Sequence, residues 1–153
     1  MLALGGGAAH ASMIPQQEAD ATIEAAIREA EDHTSAEIRV FITRHAPDAA
    51  RASEEAARHF QRLTMTRTPM RNAVLLYVAP ASSQVAVAAD EAVCFQLGTR
   101  FFNAIQRAAA PHLPHDAPRA ILEALRATAR PLARRFPRSS FDRDNLPNAV
   151  LRD

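Results

Sequence analysis

The sequence predicts an α/β fold with a small mixed sheet, and three stretches carry that prediction. Glu37-Ile-Arg-Val-Phe-Ile-Thr43 alternates and is β-branched or aromatic at most positions, so it reads as a strand. Ala73-Val-Leu-Leu-Tyr-Val-Ala79 is a nearly unbroken apolar run, the pattern of a central strand covered on both faces. Gln84-Val-Ala-Val-Ala-Ala89 follows directly after a Pro-Ala-Ser-Ser turn, a link too short for anything but a hairpin.

The helices fall between these runs. Pro15 suits a first helical residue, and Ile23, Ala26, Ile27 and Ala30 recur at helical spacing through about Asp32, which predicts a first helix after a flexible tail over 1–14. Thr34 and Ser35 break the chain before the first strand. Pro47 and Asp48 open an alanine-rich stretch in which Ala49, Ala52, Ala56, Phe60 and Leu63 share a face, ending near Thr66. This second helix is long enough to cross back over the sheet. The resulting β-α-β unit makes the first two strands parallel, and the hairpin makes the third antiparallel to the second.

Beyond Asp90 the spacing turns helical again, with Phe95, Phe102 and Ile105 on one side and Cys94 expected to be mostly buried. Pro111, Pro114 and Pro118 mark a loop. A last helix carries Ile121, Leu122, Leu125, Ala129 and Leu132, and Pro131 is expected to kink or end it because proline removes an amide donor. Residues 139–153 read as an Arg/Asp/Pro tail. One domain over 15–138 is expected from 153 residues of which 48% are hydrophobic.

Charge and composition narrow the function. The 18 basic and 17 acidic residues give a net charge of +1, too balanced for a general nucleic-acid footprint. Every basic residue is arginine, so lysine Schiff-base chemistry and the Gly-Lys-Ser/Thr phosphate loop are excluded. A single cysteine excludes an internal disulfide and a cysteine-rich zinc site, and it fits a cytoplasmic location. The opening MLALGGGAAHA lacks the basic start and continuous apolar run of a signal peptide. Arg119, Arg126, Arg130 and Arg134 fall on one helical face; a solvated stripe, or pairing with the acidic first helix, is the expectation, with an anionic membrane surface as the alternative.

The topology brings polar residues together. Glu37 and Asn72 start the two parallel strands at one edge of the sheet, and the hairpin returns Asp90 or Glu91 to the level of Asn72. Carboxylates and an amide oxygen are the hard ligands that Ca²⁺ or Mg²⁺ prefers, which makes Glu37, Asn72 and Asp90 the candidate metal ligands. Arg67 and Arg71, in the link arriving at the same edge, suit a phosphate or carboxylate. The plain alternative is that strand ends are polar because they meet solvent.

The same residues carry a resemblance. Ser35-Ala-Glu-Ile38, Arg71-Asn-Ala-Val-Leu-Leu-Tyr-Val78, Asp90-Glu-Ala-Val93, Gly98 with Phe101-Phe102, and Arg143-Asp-Asn-Leu-Pro147 together resemble the TPM domain family, over about residues 15–150. The resemblance implies a three-layer α/β/α sandwich and a polar pocket able to bind calcium or magnesium. It also implies the weak acid-phosphatase activity associated with plant members. Where the family usually carries glycine, this chain has Ala73, Ala89 and Ala92.

Other patterns are weaker. Cys94 and Arg100 have the spacing of the tyrosine-phosphatase loop, but Val93, Phe95 and Leu97 interleave them as in a packed element. His112 and His115 beside Asp116 lie between prolines, so a solvated loop is expected there rather than a zinc fragment. No Gly-x-Ser-x-Gly elbow and no dinucleotide fingerprint occurs. Two classes of function remain: a divalent-cation-binding accessory module that contacts another protein without turnover, and a metal-assisted phosphomonoester hydrolase in which Arg71 steadies the phosphate.

Overall fold

The computed structural model describes residues 3–138 and 150–153, with side chains from residue 16 onward. Helix α1 (Ala3–Glu31) leads into strand β1 (Ile38–Ile42), helix α2 (Ala49–Arg62) and strand β2 (Val74–Ala79). Strand β3 (Gln84–Ala89), helices α3 (Glu91–Ala109) and α4 (Ala117–Arg135), and strand β4 (Val150–Arg152) follow. The sheet order is β3-β2-β1-β4. β1 runs parallel to β2 with Ile38 opposite Val74, and β3 runs antiparallel to β2 with Ala89 opposite Val74.

Alternation along the two central strands divides the interior into two layers. Ile38, Val40 and Ile42 with Val74, Leu76 and Val78 face Ile23, Ile27, Ile105, Ile121, Leu125 and Leu132 of α1, α3 and α4. Phe41, Leu75 and Tyr77 face Ala52, Ala56 and Phe60 of α2, closed off by Met65. The small alanines let α2 lie close to the sheet. Each fully buried Val, Leu or Ile contributes about 1.5–3 kcal/mol of transfer free energy, so both layers are needed to offset the entropy of ordering the chain.

Four features differ from the sequence expectation. Helix α1 begins at Ala3 instead of opening at Pro15. The last residues supply β4, which pairs in parallel with β1 through Val40 and Val150. A three-residue strand has no readable periodicity, and what fixes it is the unpaired edge of β1. Helix α4 runs through Pro131 to Arg135. Only one amide is lost near the helix end, and buried Thr128 and Leu132 hold that turn against the core. Finally, Phe95 is 91% exposed and Phe101 is buried in its place. Gly98 adopts φ 62°, a left-handed conformation open to glycine, and the break it makes in α3 lets the two halves of the helix present different faces.

Candidate functional site

At the edge where β1 and β2 begin, backbone hydrogen bonds lace three segments together. The Val74 amide donates to the Glu37 carbonyl at 2.8 Å, the Asp90 amide to the Ala73 carbonyl at 3.0 Å, and the Ala92 amide to the Arg71 carbonyl at 3.1 Å. Asp90 is the N-cap of α3, and its Oδ1 accepts from the Glu91 amide at 2.8 Å. Aspartate suits this position because its short carboxylate satisfies an otherwise unpaired amide and faces the positive end of the helix dipole.

Arg71 closes over that cap. Its backbone is left-handed, at φ 52°. Its Nε and Nη2 donate to the Asp90 Oδ2 and Oδ1 at 2.8 and 2.9 Å, a bidentate fork. The hydrogen bond to Asp90 raises the pKa of the guanidinium above its ordinary value. Nη1 lies 3.7 Å from the exposed carboxylate of Glu91. The left-handed residue at this edge is Arg71, whereas Ala73, Ala89 and Ala92 are not among the positive-φ positions. Alanine can therefore stand where the family usually carries glycine.

Asn72 is fully buried. Its amide donates to Thr68 Oγ1 at 3.2 Å and its Nδ2 to Ser35 Oγ at 3.1 Å, while Oδ1 has no hydrogen-bond partner. Glu37 is buried immediately before β1, two residues from Arg39, which is also buried. Burial lowers the Arg39 pKa, and the charges of Glu37 and Glu31 raise it, with the lowering dominant. Glu31 in turn accepts from the Ile38 amide at 2.9 Å. Arg67 lies exposed in the turn before β2.

The strand register thus places the backbones of the three candidate ligands at one edge of the sheet, and the Asn72 Oδ1, without a hydrogen-bond partner, is an oxygen that suits a cation. The arrangement as it stands does not. Both Asp90 oxygens are taken by Arg71, and the guanidinium puts a positive charge beside the carboxylate that an ion would need. Among the described residues, no group of three or more His, Cys, Asp or Glu side chains could hold a metal ion.

Cys94 is exposed, contrary to the burial expected, because it follows the cap on the solvent side of the first turn of α3. Its surroundings still raise the thiol pKa, through desolvation and the charge of Asp90. A tyrosine-phosphatase nucleophile needs the opposite shift, so the Cys94–Arg100 spacing has no catalytic setting here. His112 and His115 occupy the turn between α3 and α4, where Asp116 caps α4. Arg119, Arg126, Arg130 and Arg134 are all exposed, and Arg126 pairs with Glu123 of its own helix at 2.8 Å.

This fold and this edge define an α/β domain of a recognisable class. The model of the TPM domain matches residues 9–130, and the chain belongs to that family. The Arg143–Pro147 part of the resemblance lies outside the described residues. The fold is similar to the NMR structure of the BA42 protein from the psychrophilic bacterium Bizionia argentinensis, with a TM-score of 0.80 and 26% identity over 89% of this chain and 93% of that one. No curated protein matches the chain. No helix among the described residues is long and apolar enough to cross a membrane.

The opposite end of the sheet holds a feature the sequence reading missed. Where β1 and β2 end, a crevice of about 520 Å³ opens between the β1–α2 loop, the first turns of α2 and Asp153. Its signals were present in the sequence as the lone Tyr77 within an apolar strand and the polar His45-Ala-Pro-Asp48 loop. Asp153, which completes it, is placed by the pairing of β4.

Proposed function

We propose that the chain is an accessory TPM domain that acts by contacting another protein, without turnover of its own. Any divalent cation at the Glu37, Asn72 and Asp90 edge binds in competition with Arg71. The observation that carries this reading is the bidentate Arg71–Asp90 pair. The hydrolase reading assigns Asp90 to a metal and Arg71 to a phosphate, and here each group is engaged by the other.

Calorimetric titration with Ca²⁺ and Mg²⁺, on wild type and on Arg71→Ala, tests the reading beside an acid-phosphatase assay with and without chelator. Arg71→Ala is expected to bind cation more tightly than wild type, because it leaves the Asp90 carboxylate without its guanidinium partner. Neither protein should hydrolyse a phosphomonoester. Chelator-sensitive hydrolysis that disappears in Asp90→Ala would replace this reading with the phosphatase.

A further inference from the structure

We propose that the outer face of α1 and α4 is a docking surface for a second copy of this chain, the acidic stripe of α1 in one copy lying on the arginine stripe of α4 in the other. The inference goes beyond the reading above and does not rest on the Arg71–Asp90 edge. It starts from spacing. Glu29 follows Glu18 by eleven positions, as Arg130 follows Arg119, and eleven residues are about three helical turns, so each pair shares one face of its helix. Asp32, whose amide still donates to the Arg28 carbonyl at 2.9 Å, and Arg134 extend the two stripes at the same end.

The two helices run side by side in the same direction. Asp20 and Ile23 border one crevice with Ala117 and Ile121, and Ala26 and Ala30 border the next with Leu122 and Ala129. Beyond α1 the Ser35 amide donates to the Phe136 carbonyl at the end of α4, at 2.9 Å. Glu18 therefore stands near the level of Arg119, and Glu29 near that of Arg130. Glu18, Glu29, Asp32, Arg119, Arg130 and Arg134 are all exposed. Among the described residues no ion pair engages any of them, whereas Arg126 is held by Glu123. Between the stripes lies a groove of about 350 Å³ lined chiefly by Ala26, Ala30, Leu122, Leu125 and Ala129.

These features select the occupant. A two-fold axis along the groove carries α1 of one copy over α4 of the other, parallel and at the same level, so that Glu18 faces Arg119 and Glu29 faces Arg130, each pair occurring twice. The groove then meets its own image, and apolar lining leaves water on both sides. A sheet of anionic phosphates would meet the arginines, but it would also meet three carboxylates beside them. Charge complementarity therefore favours a partner that carries both signs at this spacing, which a second copy does. The net charge of +1 leaves little overall repulsion between copies.

The test is sedimentation velocity of the full chain over a range of protein concentration and salt. Wild type should show a reversible monomer–dimer equilibrium that weakens with added salt, as surface charges are screened. Glu29→Arg and Arg130→Glu, each alone, should weaken the dimer at least about tenfold, because the two-fold axis turns two attractive pairs into two repulsive ones. An equal mixture of the two variants should recover association, since each carries the charge that the other has lost, and a general effect on folding would show no such recovery. A wild type that stays monomeric at every concentration overturns the proposal, as does a dimer indifferent to both reversals or a mixture that fails to recover. Phosphatidylglycerol vesicles supply the remaining arm: binding by a monomeric wild type that Arg130→Glu abolishes would assign the arginine stripe to an anionic surface and overturn the dimer.

Discussion

The two ends of the sheet pair the same kinds of residue in different settings. At the edge where β1 and β2 start, Asp90 and Arg71 satisfy each other and the helix cap, so the charges are spent inside the protein. At the far end the charges are paired too, Glu55 with Arg51 and Arg58 and Asp153 with Thr43, the Arg44 amide and His45, but around a crevice above a buried aromatic stack. The first end closes its pair over a helix cap, whereas the second leaves its pairs around a crevice. Polar residues at strand ends therefore carry little functional meaning until their partners are known.

The largest expected effect tests whether the far end is as firmly founded as its buried floor suggests. Tyr77→Ala removes a ring that packs against both Phe41 and His59, and it should cost about 3–5 kcal/mol in chemical denaturation, the range for deleting a buried aromatic. A loss below about 1 kcal/mol would mean that the floor is loosely packed and the crevice not preformed.

An intermediate effect is expected at the closed edge. Asp90→Ala removes the cap of α3 and should destabilise by about 1 kcal/mol, or roughly 2–4 °C in melting temperature. The ion pair adds little to this, because Arg71 is largely exposed to solvent and the pair is screened there. Asp90→Asn, which keeps a capping oxygen, should recover most of the loss. If Asp90→Asn were as damaging as alanine, the charge and not the cap would be holding this edge.

The smallest effect concerns pH. His59 lies 4.0 Å from the Phe41 ring, and burial, then the charge of Arg62, lower its pKa from 6.5, against a raising contribution from Glu55. The unfolded chain then binds a proton more readily than the folded one, so stability is fully present above about pH 6.5 and falls as the pH drops toward the folded pKa. Melting temperatures followed from neutral to mildly acidic pH should decline more steeply for wild type than for His59→Gln. Equal slopes would show that the histidine is not what titrates.

Much of the fold was legible because it rests on local patterns. The alternation of Ile38 to Ile42, the apolar run into Ala79 and the short Pro80–Ser83 turn were enough to specify a parallel crossover and a hairpin, since strand period and link length leave few topologies open. The gathering of Glu37, Asn72 and Asp90 at one edge followed from that topology alone. The facing of Phe95 was misread because helical spacing assumes a continuous helix, and the left-handed Gly98 breaks it, whereas Cys94 is exposed because it lies on the solvent side of the first turn of α3.

What the sequence by itself determined was therefore the order and direction of the first three strands and which residues meet at their ends, because these depend on periodicities of a few residues. What only the tertiary structure decided was the partner of each charge. Arg71 reaches Asp90, nineteen positions away, because its backbone turns left-handed, and Asp153 reaches Thr43 because β4 adds to the free edge of β1. Such pairings depend on backbone direction and long-range register, which no local pattern encodes, and they decide whether a carboxylate is occupied or available.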